Sequence, residues 1–228
     1  MKSVVFDTGP IISLVTNNLL WLLEPLKKEF RGEFYITKAV ERELVEKPLG
    51  TKRFKFEALQ VLQHIRNKAL KIVSNKKIKS KTMDLLELAN NSFRAHNEWI
   101  RIVNFTEMEA VAACLCLNSE ALVIDERTTR LLVENPKSLA RILGDRLHTK
   151  ITVNKANIGE FQRLTKNLNV IRSLELVTVA YELGLLDRYL AKIPDARKVL
   201  LESVLWGVKL NGCAVSKQEI DQILRLEK

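Results

Sequence analysis

The 228-residue sequence contains few cysteines and no long apolar run. Cys114, Cys116 and Cys213 are an odd number without the spacing of metal ligands, which argues against both a disulfide framework and a zinc site. No stretch approaches the ~18 uninterrupted apolar residues of a membrane-spanning helix. Asp7 and Pro10 interrupt the apolar N-terminal segment, so we expect no signal peptide. These features predict a reduced, cytoplasmic protein without a membrane partner.

Glycine and histidine are also scarce. The eight glycines form no phosphate-cradling loop of the nucleotide-binding kind. The three histidines, His64, His96 and His148, lie far apart, and none adjoins an acidic motif. We therefore assign the histidines no catalytic role and look for chemistry among the carboxylates.

Positive charge, in contrast, is abundant and unevenly distributed. The net charge is +10, and twelve basic but only four acidic residues lie between Gly50 and Arg101. A surplus concentrated in this way favours binding to a polyanion such as RNA, although a solvated pair of helices would have a similar composition. The candidate phosphate contacts in this segment are Lys76, Lys77, Lys79 and Lys81.

Strand and helix patterns alternate along the first two thirds of the chain. Short apolar runs predict strands at 4–6, 34–36, 99–103 and 121–124, with an edge strand at 151–153. Helical patterns between them predict parallel βαβ units and a layered α/β sheet. We expect one domain over 1–155 and a wholly helical C-terminal extension over 156–228. Residues of about 50–98 form a basic insert, predicted as two amphipathic helices divided by a lysine-rich turn near 76–81.

Acidic residues occur at or just beyond the ends of the predicted strands. In chain order they are Asp7, Glu43, Glu107 with Glu109, and Asp125 with Glu126. The carboxyl ends of parallel strands share one edge of a sheet, so these carboxylates are expected to converge in one crevice. Clustered carboxylates repel one another unless a cation lies between them, and Mg²⁺ or Mn²⁺ suits oxygen ligands.

Each carboxylate also has a purely structural interpretation. Asp7 and Asp125 could each cap the helix that follows, and Thr106 with Glu109 fits a capping box. Glu43 could belong to a solvated helix face. Four independent caps along one sheet edge are a less economical explanation than one shared site. After the fourth strand, the sequence leaves open whether Asp125 or Glu126 faces the crevice.

Four motifs carry a resemblance to a known family. They are Val5-Phe6-Asp7-Thr8-Gly9-Pro10-Ile11-Ile12, Val40-Glu41-Arg42-Glu43-Leu44, Glu107-Met108-Glu109-Ala110-Val111-Ala112 and Leu122-Val123-Ile124-Asp125-Glu126-Arg127. In their order and spacing they resemble the PIN-domain nucleases, including the VapC-like proteins of prokaryotic toxin and antitoxin pairs. The resemblance covers residues 1 to about 150 without the basic insert. It departs from the family at Glu109, where many relatives have aspartate.

The resemblance implies a PIN-like three-layer α/β/α fold with a central, mostly parallel sheet. It also implies a metal-dependent endoribonuclease that hydrolyses phosphodiester bonds, mainly of single-stranded RNA. The implied catalytic and metal-binding residues are Asp7, Glu43, Glu109 and Asp125, with Glu107 and Glu126 as further candidate ligands of Mg²⁺ or Mn²⁺. The implied substrate contacts are Thr8, Arg127 and the four lysines at 76–81.

Two other functions are compatible with the same residues. A PIN-like chain could bind RNA without cutting it, as a scaffold subunit of a larger RNA-processing assembly. A toxin could instead use its basic face to dock an acidic antitoxin. The apolar C-terminal helices could in addition serve a homodimer.

Overall fold

The computed structural model describes residues 2–227. Its strands are β1 (Ser3–Phe6), β2 (Glu33–Thr37), β3 (Lys71–Val73), β4 (Phe93–Ala95), β5 (Glu98–Trp99), β6 (Ala121–Val123), β7 (Thr152–Val153) and β8 (Val170–Ile171). Its α-helices are α1 (Thr8–Thr16), α2 (Leu23–Phe30), α3 (Lys38–Glu41), α4 (Lys47–Leu49), α5 (Lys55–Arg66), α6 (Lys76–Asn90), α7 (Phe105–Leu117), α8 (Arg127–Glu134), α9 (Pro136–Leu147), α10 (Lys155–Thr165), α11 (Ser173–Glu182), α12 (Ala196–Leu210) and α13 (Lys217–Leu226).

A five-stranded parallel sheet with the order β3-β2-β1-β6-β8 forms the centre of the molecule. In the register of its middle strand, Val5 lies between Tyr35 and Leu122. Strand order reverses beside β1, since the chain first adds β2 on one side and later β6 on the other. In open α/β sheets, the crevice beyond the carboxyl ends of the strands at such a reversal is the usual ligand site.

Helices cover both faces of this sheet, which is why all four residues of β1 are buried. Successive side chains of a strand point to opposite faces, so Phe6 joins one apolar core and Val5 the other. The core around Phe6 is completed by α1, α2, α11 and α12, and the core around Val5 by α6, α7 and α10. The predicted three-layer α/β/α fold is thus confirmed.

The prediction of a central-sheet strand at 99–103 is wrong. Only Glu98 and Trp99 form a strand there, and β5 belongs to a small antiparallel sheet with β4 and β7. Ile100 donates its N–H to the Phe93 carbonyl of β4, and the backbone at 102–103 is then bound by a side chain instead of a neighbouring strand. The Asn90 side chain accepts hydrogen bonds from the N–H groups of Ile102 and Val103, and donates one to the Val103 carbonyl. The strand predicted at 151–153 exists as β7, but in this second sheet.

The basic insert contains the two predicted helices, α5 and α6, but the dividing turn lies elsewhere. Lys76 to Lys81 form the start of α6, which Asn75 caps by accepting the Ile78 N–H at 2.8 Å. The break between the helices is at 67–75 and includes β3, an edge strand of the central sheet. Buried residues of α6 such as Leu85 pack in the core shared with α7. The insert is therefore an integral part of the fold.

The C-terminal region is mainly helical, as predicted, with one exception. Strand β8 pairs with β6 and so adds the fifth strand to the central sheet. Arg172, which follows β8, binds Glu175 in α11 and reaches Glu219 in α13 at 2.7 Å. These contacts fasten the C-terminal helices to the sheet. Between residues 2 and 227, no helix combines the length and apolar character required to cross a bilayer.

Replacing Gly32 with alanine should destabilise the fold by roughly 1–3 kcal/mol, a typical effect of overpacking. A Cβ atom at Gly32, just before β2, would lie 2.6 Å from the Lys2 carbonyl oxygen and 2.5 Å from Cε1 of Phe30. Gly159 in α10 is the matched control, because a Cβ atom there meets nothing within 4 Å. Gly159→Ala should stabilise by about 0.5–1 kcal/mol. Urea unfolding measures both changes, and equal effects of the two substitutions would contradict the close approach at Gly32.

Candidate active site

Asp7 follows β1 directly and lies at the reversal of strand order. Its backbone N–H donates to the Val123 carbonyl at 2.9 Å, which continues the pairing of β1 with β6. Although Asp7 occupies the N-cap position of α1, its side chain makes no capping hydrogen bond. The residue is 5% exposed, and its Oδ1 has no hydrogen-bond partner among residues 2–227. Simple helix capping therefore does not account for this carboxylate.

The environment of Asp7 favours its protonated form. Burial raises the pKa of Asp7 to about 7, and the negative charges of Glu43 and Asp125 add to the rise. The backbone N–H groups of Thr8 and Gly9 lower the pKa in part. A positive charge placed beside Oδ1 would reverse this balance, because it would favour the ionised carboxylate.

Glu43 lies on a widened helical turn. Residues Arg42–Glu46 form a π-helical segment between α3 and α4, in which the Lys47 N–H donates to the Arg42 carbonyl. Pro48, next in the chain, has no N–H to donate, and the wider turn accommodates that loss. The helical segment thus continues through Pro48 to Leu49. Such π-helical turns are frequent at functional sites.

Two threonine hydroxyls hold the Glu43 carboxylate. Thr8 Oγ1, in α1, donates to one oxygen at 2.8 Å, and Thr106 Oγ1, in α7, donates to the other at 2.8 Å. Lys47 Nζ lies 3.7 Å from Oε1 of Glu43. Glu43 consequently joins the first turn of α1 to the first turn of α7.

On α7, the acid next to Asp7 is Glu107. Asn104 caps the helix and forms a capping box with Glu107, two residues earlier than the predicted pair of Thr106 and Glu109. Burial raises the pKa of Glu107 to about 7, and the charges of Glu126 and Asp7 raise it further. The Asn104 N–H and the Thr129 hydroxyl, at 3.2 Å, oppose this rise.

Glu109 lines the same pocket as Glu43 and also binds a neighbouring helix. Its side chain is buried and its Oε2 accepts the Ala39 N–H, in the first turn of α3, at 2.8 Å. That contact satisfies a backbone donor at a helix N-terminus, where several donors lack intrahelical partners. Glu109 therefore joins α7 to α3.

Asp125 makes structural hydrogen bonds, whereas Glu126 lies beside the candidate site. The buried carboxylate of Asp125 accepts hydrogen bonds from Ser13 Oγ at 2.9 Å and from the N–H and Oγ of Ser173 at 2.7 Å each. It thus joins the end of β6 to α1 and α11. Glu126 caps α8 through the Thr129 N–H at 2.6 Å and lies close enough to Glu107 to raise its pKa.

The acid cluster, as we name it, consists of Asp7, Glu43, Glu107 and Glu126. Its donor chemistry fits a hard divalent cation, because it offers carboxylate oxygens, among them the buried, unpartnered Oδ1 of Asp7. As the side chains stand, however, residues 2–227 contain no group of three or more His, Cys, Asp or Glu that could hold a metal ion. The metal-binding role of each acid stays a prediction.

The predicted substrate contacts are spread over α1, α6 and α8. Thr8 is hydrogen-bonded to Glu43, and Arg127 is an exposed first residue of α8, next to Glu126. Lys79 lines a pocket that also contains Glu43. Lys76 and Lys77 are exposed on the first turn of α6, whereas the half-buried Lys81 lies near Glu160 of α10.

Sequence reasoning missed three cations beside the site. Lys38, Arg42 and Lys47 line the same pocket as Lys79 and Glu43. The available signal was their position on the segment that carries Glu43, with Lys47 four residues after it.

The comparison with known families agrees with this geometry. A family model described as a PIN domain matches residues 3–137, which include β1, β2, β6 and the whole acid cluster. The chain belongs to the PIN-domain family. PIN domains are usually nucleases and generally use divalent metals. The match ends in α9, so α10 to α13 and β8 lie beyond the matched PIN domain. Searches among curated proteins and among solved structures found no match.

Asp7→Asn should stabilise this PIN-domain protein at pH 8 in the presence of a chelator. Folded Asp7 keeps its proton up to about pH 7, whereas an exposed aspartate loses it near 3.8. The folded chain then binds more protons than the unfolded chain, so stability falls as the pH rises from about 4 to about 7. Asparagine does not titrate, so the variant's advantage should be on the order of 2–4 kcal/mol at pH 8 and should vanish near pH 4.

Urea unfolding between pH 4 and pH 8 measures this difference. Asp145→Asn, at an exposed position of α9, is the control and should leave the unfolding free energy nearly unchanged at every pH. A constant difference between wild type and Asp7→Asn across the pH range would show that the buried carboxylate does not titrate as described.

Proposed function

We propose that this PIN-domain protein is a metal-dependent endoribonuclease that acts mainly on single-stranded RNA. The observation that carries the proposal is the buried Asp7 carboxylate, with one unpartnered oxygen, next to other carboxylates. Burying a charge without a partner is unfavourable by several kcal/mol. A site that functions with Asp7 ionised therefore requires a cation, and the oxygen donors favour Mg²⁺ or Mn²⁺.

The acids proposed to hold the ion differ in part from the sequence prediction. Asp7 and Glu43 are kept, and we replace Glu109 and Asp125 with Glu107 and Glu126. The reason is the neighbours of each acid. The charge of Asp7 raises the pKa of Glu107, whereas Glu109 accepts the Ala39 N–H and Asp125 accepts three hydrogen bonds from serine groups. In this assignment Asp125 is a positioning residue that fixes α1 and α11 around the crevice.

When bound, the ion supplies positive charge to the scissile phosphate and lowers the pKa of a water molecule. The chain's own groups orient the reactants. Glu43 has a partly exposed carboxylate held from both sides by threonine hydroxyls, so it is suited to act as the general base that aligns the attacking water. By the mechanism implied for the family, hydrolysis leaves a 5′-phosphate and a 3′-hydroxyl.

Positive side chains beside the acid cluster support RNA as the substrate. Lys38, Arg42, Lys47 and Lys79 surround Glu43 in a pocket of about 350 Å³. Cations of this kind contact phosphates without reading sequence. The crevice lies among helix N-termini, so a flexible single strand can follow it more readily than an A-form duplex.

Non-catalytic RNA binding is the second candidate function. It is favoured by the absence, among residues 2–227, of any three acids already placed around one point. The positive side chains serve this function equally well. Tight binding of single-stranded RNA without cleavage in the presence of any divalent ion would support it over the nuclease.

Glu107→Gln should reduce RNA cleavage far more than Glu109→Gln. Both substitutions keep the size of the side chain and a carbonyl oxygen that can accept a backbone hydrogen bond. Only Glu107 belongs to the acid cluster, so its loss, like that of Asp7→Asn, should reduce the rate on the order of 100-fold. Initial rates on a labelled single-stranded RNA with Mn²⁺ measure the effect. Equal losses in the two glutamine variants would refute the revised assignment.

Mn²⁺ should raise the melting temperature of the wild-type protein at pH 8. An ion that binds only the folded state stabilises it by about 2.7 kcal/mol at a hundred times its dissociation constant. Asp7→Asn and Glu107→Gln should lose most of this stabilisation, and Glu109→Gln should keep it. Thermal unfolding with Mn²⁺ and then with excess chelator makes the comparison. An Asp7→Asn protein that responds to Mn²⁺ like wild type would place the ion elsewhere.

A further inference from the structure

Phe105 is an exposed aromatic residue at the edge of the acid cluster. It is the first residue of α7, and 41% of it is accessible to solvent. The next two residues, Thr106 and Glu107, are part of the site, since Thr106 binds Glu43 and Glu107 lies near Asp7. The backbone therefore holds the Phe105 ring within one helical turn of the proposed metal ligands.

The ring lies where two solvent-open pockets meet. One pocket, of about 570 Å³, contains Glu107, Glu126 and Arg101, and Phe105 is part of its lining. The second, of about 350 Å³, contains Glu43 and the cation Lys79, and Phe105 lines it as well. Together the pockets form a path across the start of α7, with acids in the middle and cations on both sides.

The Phe105 ring lacks the aromatic or cationic partner that most other accessible aromatic residues have among residues 2–227. Arg94 covers Trp99 at 5.5 Å, and Arg53 covers Phe54 at 4.6 Å. The aromatic pairs and cation–π contacts formed within residues 2–227 do not involve Phe105. Single exposed apolar residues are common, so exposure alone has no meaning. Here an exposed ring without an aromatic or cationic partner lines two charged pockets that contain acids of the candidate active site.

We propose that Phe105 is a base-stacking platform that positions single-stranded RNA across the acid cluster. One base stacks on the ring, and the flanking phosphates contact Arg101 on one side and Lys79 with Arg42 on the other. This inference rests on the proposed function, and it adds a positioning residue and the path of the strand.

The chemistry of stacking determines which substrates the platform accepts. Every nucleobase has a π face, so an aromatic platform tolerates any sequence and holds the strand without selecting it. Stacking does not involve the 2′-hydroxyl either. The contribution of Phe105 should therefore be the same for a DNA strand and an RNA strand of equal sequence, whatever their overall affinities.

Binding measured apart from cleavage tests the platform. In an Asp7→Asn background, Phe105→Ala and Phe105→Leu should each weaken binding of a fluorescent single-stranded decanucleotide on the order of tenfold. Phe105→Tyr keeps the ring and should retain the affinity. Phe56→Ala is the matched control, because Phe56 is 69% exposed on α5 but lines neither pocket. Fluorescence anisotropy at fixed salt measures the dissociation constants of the parent and of the four variants.

An abasic nucleotide moved along the strand locates the stacked base. At one position the missing base should weaken binding with Phe105 present and have no further effect in Phe105→Ala, since both changes remove the same contact. Additive losses at every position, or a Phe105→Leu protein that is folded by circular dichroism and binds like its parent, would overturn the inference. Cleavage is assayed separately in protein with Asp7 intact. Failure to cleave with any divalent ion would refute the nuclease proposal alone, because the stacking result depends only on binding.

Discussion

The pairing of β1 with β2 and β6 is the constraint on which the other features depend. Four consecutive buried residues place β1 in the middle of the sheet, where helices on both faces exclude water. The hydrogen bond from the Asp7 N–H to Val123 extends this pairing by one residue. As a result a carboxylate emerges at the reversal of strand order with little freedom to reach solvent.

Two kinds of buried carboxylate coexist around this edge. Glu109 and Asp125 receive hydrogen bonds from the protein and hold helices in place. Asp7 and Glu107 have raised pKa values because burial and neighbouring charges outweigh the donors available to them. Two roles therefore meet at one sheet edge: Glu109 and Asp125 join helices, and the raised pKa values of Asp7 and Glu107 mark carboxylates whose ionised form a cation would stabilise.

Much of the fold could be predicted from sequence, and the failures have local causes. Continuous apolar runs identified β1, β2 and β6, because a strand that is covered on both faces consists of successive apolar residues instead of alternating apolar and polar ones. The run at 99–103 misled because a single side chain, Asn90, binds its backbone. Strands β3 and β8 have only a few residues each and take their structure from the neighbours they pair with.

For the site, the order of the acidic motifs predicted which regions converge but not which side chains face inward. The capping box of α7 lies two residues earlier than predicted, at Asn104 and Glu107, and residues two apart lie on different faces of a helix. Similarly, adjacent acids after β6 point in different directions, so Asp125 and Glu126 could not be distinguished from spacing. The wide helical turn that carries Glu43 has no short-range sequence signal beyond Pro48.

The hydrogen bonds between Asp125 and Ser173 tie two parts of the chain together. Ser173 lies beyond the matched PIN domain, yet it supplies two of the three donors to a buried carboxylate inside that domain. Removal of the segment that carries β8 and α11 would leave Asp125 with the Ser13 hydroxyl alone and would uncover the β6 edge at the same time. The matched domain thus borrows from the following segment both the partner of its outer strand and the donors that satisfy an interior acid.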